Sequence, residues 1–474
     1  MLKKKLNIEE TFSLALENHK KNNFSSAEKI YSKILKINPK HFNSIFYLAS
    51  LHAQTKNFYE AQELFEKAIK IRPDYALAYS NLGAVLKELG NFEESINVCQ
   101  KAIKIDPKYS AAYSNLGAAL REAGRFKDSV NACEKALKVQ PNNFEALHNL
   151  ALSLQELNEI KKAMNCYKIL SKIQSNPGNA YQNLGKLSTM IGEKKEAINF
   201  YQLAIEHEPE NLFYYYNLSY LDENILDENL KIKINHIIKK NSEKNQNTAY
   251  AHFLLSKYEL NLKNYEKEFN YLLKGHSHYF ESIEKEYSSD LNYWLNILPK
   301  NKELNSINVS NNNTEIVRHD LNPIFIIGVP RCGSTLVEKI IASGINKIPI
   351  GEETAILSFF VGEHITEKQL FNQNMTSLRK KIIDMYKQKE LIQEKANYIF
   401  TDKTLDNFFF IGLIKEFFPL AKVISCQRNA LSSIISILKN NLGDVSWAHN
   451  LEHIFQYFDI YYQKIEDFKK IFPN

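Results

Sequence analysis

The sequence has few cysteines and no long apolar run, and both absences narrow the class of protein. Five cysteines occur among 474 residues at irregular distances and without a Cys-x-x-Cys pair. This usage excludes a disulfide framework and predicts a reducing, cytoplasmic location. No stretch of about 18 apolar residues is present, so no membrane span is predicted. The lysine-rich start of the chain lacks the apolar stretch that a secretory signal requires.

The chain also lacks a strong excess of charge of one sign. It has 60 Lys and Arg against 54 Asp and Glu, and the formal net charge of +6 does not predict a nucleic-acid partner. Hydrophobic residues make up 44% and charged residues 24% of the chain, as in ordinary globular proteins. The length predicts about three domains with real hydrophobic cores.

A period of 34 residues organises the first half of the chain. Prolines, leucines, small residues, phenylalanines and glycines each recur at a fixed position of this period. The recurring residues are Pro39, Pro73, Pro107 and Pro141; Leu14, Leu48, Leu82, Leu116, Leu150, Leu184 and Leu218; Ala27, Ala61, Ser95, Ser129, Ala163 and Ala197; Phe24, Phe58, Phe92 and Phe126; and Gly83, Gly117 and Gly185. A repeat of this length predicts helix pairs that bury their apolar faces by stacking on their neighbours.

This pattern resembles the tetratricopeptide repeat (TPR), in which two antiparallel helices, A and B, alternate and a proline follows helix B. The resemblance implies an all-α solenoid over residues 8–225, with at least six repeats, and a degenerate helical repeat or connector over residues 226–304. Cys99 and Cys133 occupy a helix-B position that is aromatic in other repeats. We therefore expect these two cysteines to be buried packing residues.

One polar position recurs in helix A, directly before the repeated leucine. It is occupied by Asn81, Asn115, Asn149, Asn183 and Asn217. In TPR arrays helix A lines the concave surface, and a carboxamide can both donate and accept hydrogen bonds. The series is either a ladder that holds an extended peptide or protein partner in the groove, or a set of structural bonds between repeats.

A second domain, residues 321–474, is predicted after a polar linker without periodicity, residues 305–320. The apolar run Pro323–Gly328 predicts a buried strand, and a glycine-bearing turn leads from it into a helix. This order of elements points backbone amides at an anion. The spacing Gly328-x4-Gly333 is that of a P-loop, but Ser334 stands where a triphosphate-binding loop has lysine. That substitution disfavours a P-loop kinase or NTPase.

The loop Pro330-Arg331-Cys332-Gly333-Ser334-Thr335-Leu336 resembles the 5′-phosphosulfate loop of sulfotransferases, usually Pro-Arg/Lys-Ser-Gly-Thr-Thr-Leu. These enzymes use 3′-phosphoadenosine 5′-phosphosulfate (PAPS) as sulfuryl donor. The resemblance implies an α/β P-loop-like domain with a parallel sheet. The residues implied to hold the 5′-phosphosulfate are Arg331, Cys332, Gly333, Ser334 and Thr335. Cys332 and Ser334 replace the usual serine and threonine, and both are small.

Two further segments resemble the catalytic segments of this family. Gly351-Glu352-Glu353-Thr354 looks like the Gly-Glu-Glu-Thr of tyrosylprotein sulfotransferases, whose second glutamate is the general base. The resemblance favours Glu353 as the base and keeps Glu352 as the rival, because bacterial relatives with repeats often have only Gly-Glu. The segment Thr401–Phe408 resembles the one whose lysine, here Lys403, stabilises the transferring sulfuryl group.

The last matching segment is Ala421–Cys426, which is predicted to be a second buried strand. In the family, an arginine after this strand and a serine eight residues later hold the 3′-phosphate of the donor. The resemblance implies Arg428 and Ser436 for these roles. Asn440 stands where the family has a further arginine, and relatives continue beyond the point at which this chain ends. We therefore expect a sulfotransferase domain that lacks its C-terminal part.

Two functions stay open at this stage. The first is a PAPS-dependent sulfotransferase whose repeats bind a partner or deliver a hydroxyl-bearing acceptor. The second is a TPR scaffold for protein interactions with an inactive or incomplete sulfotransferase domain. Neither of these two functions implies a metal ion. The only close histidine pair, His276 and His278, lacks a third ligand and is predicted to lie on the surface.

Overall fold

The computed structural model describes residues 7–240, 244–301, 304, 321–344, 348–366, 375–392 and 399–471. The chain divides into two compact units, Met1–Glu223 and Asn224–Asn474. The predicted linker, residues 305–320, lies outside the described residues. Within the described ranges, no helix combines the length and the hydropathy of a membrane span.

The first unit is a series of helices that follows the 34-residue period. Its helices are α1 (Ile8–Lys20), α2 (Phe24–Ile37), α3 (Phe42–Gln54), α4 (Phe58–Ile71), α5 (Ala76–Glu88), α6 (Phe92–Ile105), α7 (Ser110–Glu122), α8 (Phe126–Val139), α9 (Phe144–Glu156), α10 (Ile160–Ile173), α11 (Gly178–Met190), α12 (Lys194–His207) and α13 (Leu212–Leu218). Through α12, an A helix of 13 residues alternates with a B helix of 14 residues, so the helical repeat predicted from the sequence is confirmed.

The recurring residues of the sequence mark the ends of these helices. The B helices α2, α4, α6 and α8 begin at the recurring phenylalanine and end two residues before the recurring proline. Proline cannot continue a helix, because it has no N–H and its ring clashes with the preceding turn. Between helices A and B the backbone is left-handed in six successive repeats. The residues with positive φ there are Asn22, Lys56, Gly90, Gly124, Asn158 and Gly192.

The helices of the first unit pack closely at the recurring small residues. Every residue of the small helix-B position is fully buried, from Ala27 in the first repeat to Ala197 in the sixth. At Gly117 the contact is closer still, because a Cβ there would lie 2.4 Å from Sγ of Cys133. Cys133 and Cys99 are both fully buried, as predicted, and burial raises the pKa of each thiol to about 12.

The second unit begins with helices and continues with an α/β region. Its helices and strands are α14 (Glu228–Lys240), α15 (Gln246–Asn261), α16 (Tyr265–Asn292), β1 (Ile324–Gly328), α17 (Ser334–Ala342), α18 (Ile356–Thr366), α19 (Met375–Gln388), β2 (Thr401–Asp402), α20 (Ile411–Phe417), β3 (Lys422–Cys426), α21 (Ala430–Asn440) and α22 (Leu451–Ile471). A π-helical turn, Tyr293–Ile297, follows α16, and short 3₁₀ turns occupy Leu405–Phe410 and Ser446–His449. α16 has 28 residues, twice the length of a B helix of the repeats.

The sheet of the second unit contains three parallel strands in the order β2-β1-β3. β1 lies in the centre, and its Phe325, Ile326 and Ile327 are fully buried, as predicted. β3 was also predicted to be a buried strand, and this prediction was wrong for its middle, which is only half-buried. Within the described residues β3 has a neighbour on one side only, which explains the difference. The two-residue strand β2 was not predicted, because a segment so short has no period to detect.

The helix α16 packs against α21 and the turn Ser446–His449. His276, predicted to lie on the surface, is buried at this contact and only 2% exposed. Its Nε2 lies 2.8 Å from the carbonyl oxygen of Leu438, and its Nδ1 lies 3.0 Å from Nδ1 of His449. Burial lowers the pKa of His276 to about 4. The prediction for His276 was wrong because a part of the chain far along the sequence covers this face of α16.

Candidate active site

The loop after β1 turns sharply into α17. Two of its residues have left-handed backbone: Arg331 has a φ of 69°, and Gly333, the N-cap of α17, has a φ of 99°. Glycine adopts this conformation freely, whereas arginine adopts it at a cost. The N–H groups of the first turn of a helix have no partner within the helix, so they are available to an anion. The loop therefore has the local structure that the sequence predicted for it.

Two residues from beyond β3 contact this loop. Nε of Arg331 donates a hydrogen bond to Oγ of Ser436 on α21, with a length of 3.0 Å. Nη1 of Arg428 donates to the carbonyl oxygen of Arg331 over 3.4 Å. Both arginines are exposed and Ser436 is half-buried. The residues predicted to hold the two anionic ends of a nucleotide are thus brought together at one accessible place.

The segment with the two glutamates is fixed by its backbone to neighbouring elements. The N–H of Glu352 donates to Oε1 of Glu338 in α17 over 3.1 Å, and its carbonyl oxygen accepts from the N–H of Lys403 over 2.7 Å. Gly351 lies so close to β2 that a Cβ there would be 2.0 Å from the carbonyl oxygen of Thr401. The backbone of this segment therefore has a defined place between α17 and β2.

Lys403 and Glu353 form an ion pair, with 3.0 Å between Nζ and Oε1. The lysine side chain is only 8% exposed, whereas the glutamate side chain is 63% exposed. A buried ammonium group thus reaches a carboxylate that is open to solvent. Of the two glutamates that the sequence left as rivals, Glu353 is the one whose carboxylate contacts the ammonium group of Lys403, whereas Glu352 contacts Lys403 only through the backbone.

Asp402, directly before Lys403, is fully buried and holds this region together. Its Oδ2 accepts hydrogen bonds from the hydroxyls of Thr354, at 2.7 Å, and Tyr386, at 2.6 Å. Its Oδ1 accepts from the N–H of Thr404, at 2.9 Å, and from Nδ2 of Asn407, at 3.2 Å. One carboxylate therefore ties the glutamate segment to the lysine segment and to α19.

Glu338 makes a second buried link of this kind. It is 1% exposed, and its Oε1 accepts from the hydroxyl of Thr401 over 2.7 Å as well as from the N–H of Glu352. No role for Glu338 or Asp402 was predicted from the sequence. An acidic residue at an otherwise apolar position of a short helix or strand was the only signal that could have drawn attention to either.

Asp406 lies near the ion pair, in the turn that follows Lys403. It accepts a hydrogen bond of 2.5 Å from the hydroxyl of Tyr457. Removal from water raises the pKa of Asp406 to about 6; the Tyr457 hydrogen bond acts in the opposite direction, and the negative charge of Glu353 adds to the increase. This carboxyl group therefore gains or loses its proton near neutral pH.

The candidate residues share one edge of the sheet. The loop with Arg331 follows β1, Lys403 follows β2, and Arg428 follows β3. The three strands are parallel; β1 and β3 end together, because Gly328 pairs with Cys426, whereas β2 ends earlier, opposite Phe325 of β1. All three residues follow the carboxyl ends of their strands, the side on which open α/β sheets bind ligands. Within the described residues, no group of three or more His, Cys, Asp or Glu side chains suited to a metal ion is present.

The recurring asparagines of the first unit are half-buried and differ in their contacts. Nδ2 of Asn115 lies 3.1 Å from the carbonyl oxygen and 3.0 Å from Oγ of Ser80, in the preceding repeat. Nδ2 of Asn183 instead donates to the carbonyl oxygen of Asn179, one turn earlier in its own helix. In this structure, structural bonding between repeats is therefore present at Asn115 but does not occur at Asn183.

Comparisons with known proteins identify both parts of the chain. Models of the tetratricopeptide repeat match residues 42–108, 110–143, 132–165 and 178–211. A model of the sulfotransferase family matches residues 323–473. The chain is thus a fusion of a TPR array with a sulfotransferase-family domain, as the two resemblances in the sequence implied.

Individual relatives are more distant. An uncharacterized protein of Aquifex aeolicus (strain VF5) is 26% identical over 243 residues, which are 48% of this chain and 31% of that protein. The match therefore spans about a third of the relative's length. Among solved structures, PilW, a type IV pilus biogenesis factor, is 22% identical, with a TM-score of 0.40 and coverage of 43% of this chain and 95% of that one. The pilF protein of Pseudomonas aeruginosa is 20% identical, with a TM-score of 0.39 and coverage of 44% and 94%.

Proposed function

We propose that the second unit transfers a sulfuryl group from PAPS to the hydroxyl group of an acceptor. Three groups that follow the carboxyl ends of the strands carry this proposal, and the first two of them contact each other. They are the anion-type loop around Arg331, the side chains of Arg428 and Ser436, and the ion pair of Lys403 with Glu353. The match to the sulfotransferase family supports the same reaction class.

The residues around the loop suit a donor with two anionic ends. Arg331, Cys332, Gly333, Ser334 and Thr335 would hold the 5′-phosphosulfate through the amides at the start of α17 and the guanidinium group. Arg428 and Ser436 would hold the 3′-phosphate, and a charge-assisted hydrogen bond of this kind contributes about 1.5–3 kcal/mol.

The hydroxyl of Ser436 accepts from Nε of Arg331, and it could still donate its own proton to a 3′-phosphate. This contact of 3.0 Å between the loop and α21 supports the proposal that one nucleotide touches both.

PAPS would supply an activated sulfuryl group together with a phosphate leaving group. Positioning and charge stabilisation then dominate what the protein must do, as in phosphoryl transfer. Glu353 would accept the proton of the acceptor hydroxyl as general base. Lys403 would neutralise the charge that develops on the bridging oxygen. The contact between Lys403 and Glu353 supports these two roles, because both groups would have to lie close to one reacting bond.

The donor assignment is tested by calorimetry of the full chain with 3′-phosphoadenosine 5′-phosphate (PAP). Arg428→Ala should weaken PAP binding by about 10-fold or more, because it removes a charge-assisted hydrogen bond. Arg125→Ala is the matched control, since Arg125 is exposed in the repeat unit and pairs with Asp128. Equal PAP affinity in the wild type and Arg428→Ala would contradict the assignment of Arg428.

The base is tested by transfer of radiolabelled sulfate from PAPS to a phenol, a sugar and a tyrosine peptide. Glu353→Gln should lower turnover by about 10²–10⁴-fold, the usual contribution of a general base. Glu352→Gln is the paired variant and should retain most activity. The reverse outcome, a loss only in Glu352→Gln, would transfer the role to Glu352.

We further propose that the TPR array binds a protein or peptide, as acceptor or as partner, in its concave groove. The asparagine ladder of Asn81, Asn115, Asn149, Asn183 and Asn217 would hold the peptide backbone through its carboxamides. The double change Asn149→Ala and Asn183→Ala should weaken binding of peptides selected from a random library by about fivefold per residue. Unchanged affinity with a folded array would contradict the ladder.

A further inference from the structure

Two thiols lie together where the loop leaves β1. Gly328, the last residue of β1, pairs with Cys426, the last residue of β3. A Cβ on Gly328 would lie 2.6 Å from Sγ of Cys332 and 3.5 Å from Cβ of Cys426. The space that this glycine leaves open therefore contains the Cys332 sulfur, directly beside the end of β3.

The two thiols also interact with each other. Burial raises the pKa of the Cys426 thiol to about 11, and the charge of Cys332 and a hydrogen bond with its side chain act in the same direction. Both cysteines are present as free thiols, and their exposed fractions are 8% for Cys332 and 7% for Cys426. The pair is therefore nearly enclosed, with a small part of each residue still accessible to solvent.

We propose that Cys332 and Cys426 are a redox pair whose oxidation to a disulfide ties the nucleotide loop to the end of β3 and blocks nucleotide binding. This inference rests on the proposed function, because it takes the loop to be the binding site of the donor. The role proposed for Cys332 belongs to the backbone of the loop, where its N–H donates to the carbonyl oxygen of Val329 over 3.2 Å, and it leaves the sulfur unused. Cys426 has no role in the proposed reaction.

Hydrogen peroxide, as the oxidant, makes the reaction balance. The Cys332 sulfur attacks one peroxide oxygen, so that an S–O bond forms, the O–O bond breaks and one water leaves. The Cys426 sulfur then attacks the resulting sulfenic acid, so that the S–S bond forms, the S–O bond breaks and a second water leaves. Two thiols lose two protons and two electrons, and one peroxide becomes two waters. Cys426 is the resolving thiol because its raised pKa makes it the weaker first nucleophile.

The position of the pair explains why a disulfide would disturb the site. An S–S bond is about 2.05 Å long, much shorter than a contact between two thiols. Cys332 lies between Arg331 and Gly333, which both have left-handed backbone. If the sulfur of Cys332 moves to form the disulfide, the loop must move with it, and this displaces the backbone amides at the start of α17. Cys426 lies two residues before Arg428, so the same disulfide also displaces the segment that carries Arg428.

The disulfide is detected by treating the full chain with hydrogen peroxide, alkylating the remaining thiols and digesting with trypsin. Cleavage at Arg331, Lys339, Lys422 and Arg428 releases the peptides Cys332–Lys339 and Val423–Arg428, each with a single cysteine. We expect the two peptides to be linked, with a mass two hydrogen atoms below the sum of the reduced peptides. Dithiothreitol should separate them. Absence of this linked pair would overturn the proposal.

The effect on binding is measured with PAP on the same samples. Oxidation should lower the PAP affinity of the wild type by at least about 10-fold, and dithiothreitol should restore it. Cys426→Ser should bind PAP equally well before and after peroxide, and Cys426→Ala serves the same purpose if serine destabilises β3. A linked pair without loss of PAP affinity would overturn the switch. If the reduced wild type does not bind PAP at all, the proposed function fails instead, whether or not the peptides become linked.

Discussion

In the repeat unit, segments that touch are close together in the sequence. Gly83 and Gly117 each contact a cysteine 16 residues later, in the next helix. In the second unit the corresponding close approaches are distant in sequence, since Gly351 meets Thr401 after 50 residues and Gly328 meets Cys426 after 98. The first unit is therefore held together by contacts between helices that are adjacent in the sequence. The second unit depends on contacts that form only when the whole unit has folded.

This difference between the units predicts how many segments a single substitution should destabilise. In a repeat array a lost contact affects one repeat and its two neighbours. In the second unit, Asp402 alone connects three segments of the candidate site. The two tryptophans of the chain, Trp294 and Trp447, both lie in the second unit. Tryptophan fluorescence therefore reports unfolding of the second unit, while circular dichroism is dominated by the helices of both.

The largest effect is expected from Asp402→Ala. This change leaves four donors in a buried region without their common acceptor, and each unpaired buried group costs about 1–3 kcal/mol. We expect the free energy of unfolding of the second unit, measured by tryptophan fluorescence in urea, to fall by about 4 kcal/mol. Asp402→Asn keeps the shape and one acceptor oxygen and should lose less. Equal stability of the wild type and Asp402→Ala would show that Asp402 does not link these segments.

Gly351→Ala should have the next largest effect. The new Cβ would lie 2.0 Å from a backbone oxygen of Thr401, which cannot turn away as a side chain can. We expect a loss of about 3 kcal/mol in unfolding free energy, at the upper end of overpacking costs. Sulfuryl transfer should fall by about 100-fold, because the glutamate segment must move. The measurements are urea unfolding and turnover.

Gly362→Ala is the control for this prediction. Gly362 lies inside α18, where the nearest atom to a new Cβ is the Tyr293 hydroxyl, 3.9 Å away. Alanine there should stabilise the helix by about 0.5–1 kcal/mol. A similar effect of both substitutions would contradict the close approach at Gly351.

Gly117→Ala should lower the stability of the repeat unit by a smaller amount, and a second substitution should restore part of it. The new Cβ meets Sγ of Cys133, which is the end of a side chain, so a loss of about 1–2 kcal/mol is expected. Adding Cys133→Ala removes the clash, and the double variant should be more stable than Gly117→Ala alone. Circular dichroism measures the loss, while tryptophan fluorescence should not change. Purely additive effects of the two substitutions would contradict the contact.

The last effect is the pH dependence contributed by Asp406. Its pKa in the folded protein is about 6, above the usual value of 3.8. A carboxyl group whose pKa is higher in the folded than in the unfolded protein stabilises the fold at a pH below its unfolded pKa. This stabilisation is lost as the pH rises through the pKa in the folded protein. Between about pH 4 and pH 6, the tryptophan-reported stability of the wild type should fall by about 2 kcal/mol relative to that of Asp406→Asn. A constant difference over this range would contradict the raised pKa.

Much of the fold was predictable because its signals are local. The 34-residue period predicted twelve regular helices, and the recurring phenylalanines and prolines marked helix ends to within two residues. The strand before Gly328 and the helix after Gly333 were predicted for the same reason. His276 was placed wrongly, because burial of one face of α16 depends on residues more than 160 positions later.

The candidate site was predictable only as separate segments. The resemblance implied roles for Arg331, Glu353, Lys403, Arg428 and Ser436, and these assignments stay predictions. No role was predicted for the buried carboxylates of Asp402 and Glu338, because the sequence does not distinguish a solvated acidic residue from a buried one. The proximity of Cys332 and Cys426 was equally invisible, since it depends on the register between β1 and β3.

By itself, the sequence determined which segments become helices and strands and which loop can face an anion, because these properties follow from periodicity, proline and glycine over a few residues. Only the tertiary structure decided which partners meet. Lys403 reaches Glu353 across 50 residues and Arg331 reaches Ser436 across 105. Arg331 can reach Ser436 because β1 and β3 are parallel neighbours that end together, and this arrangement exists only after the strands have paired in that order and register.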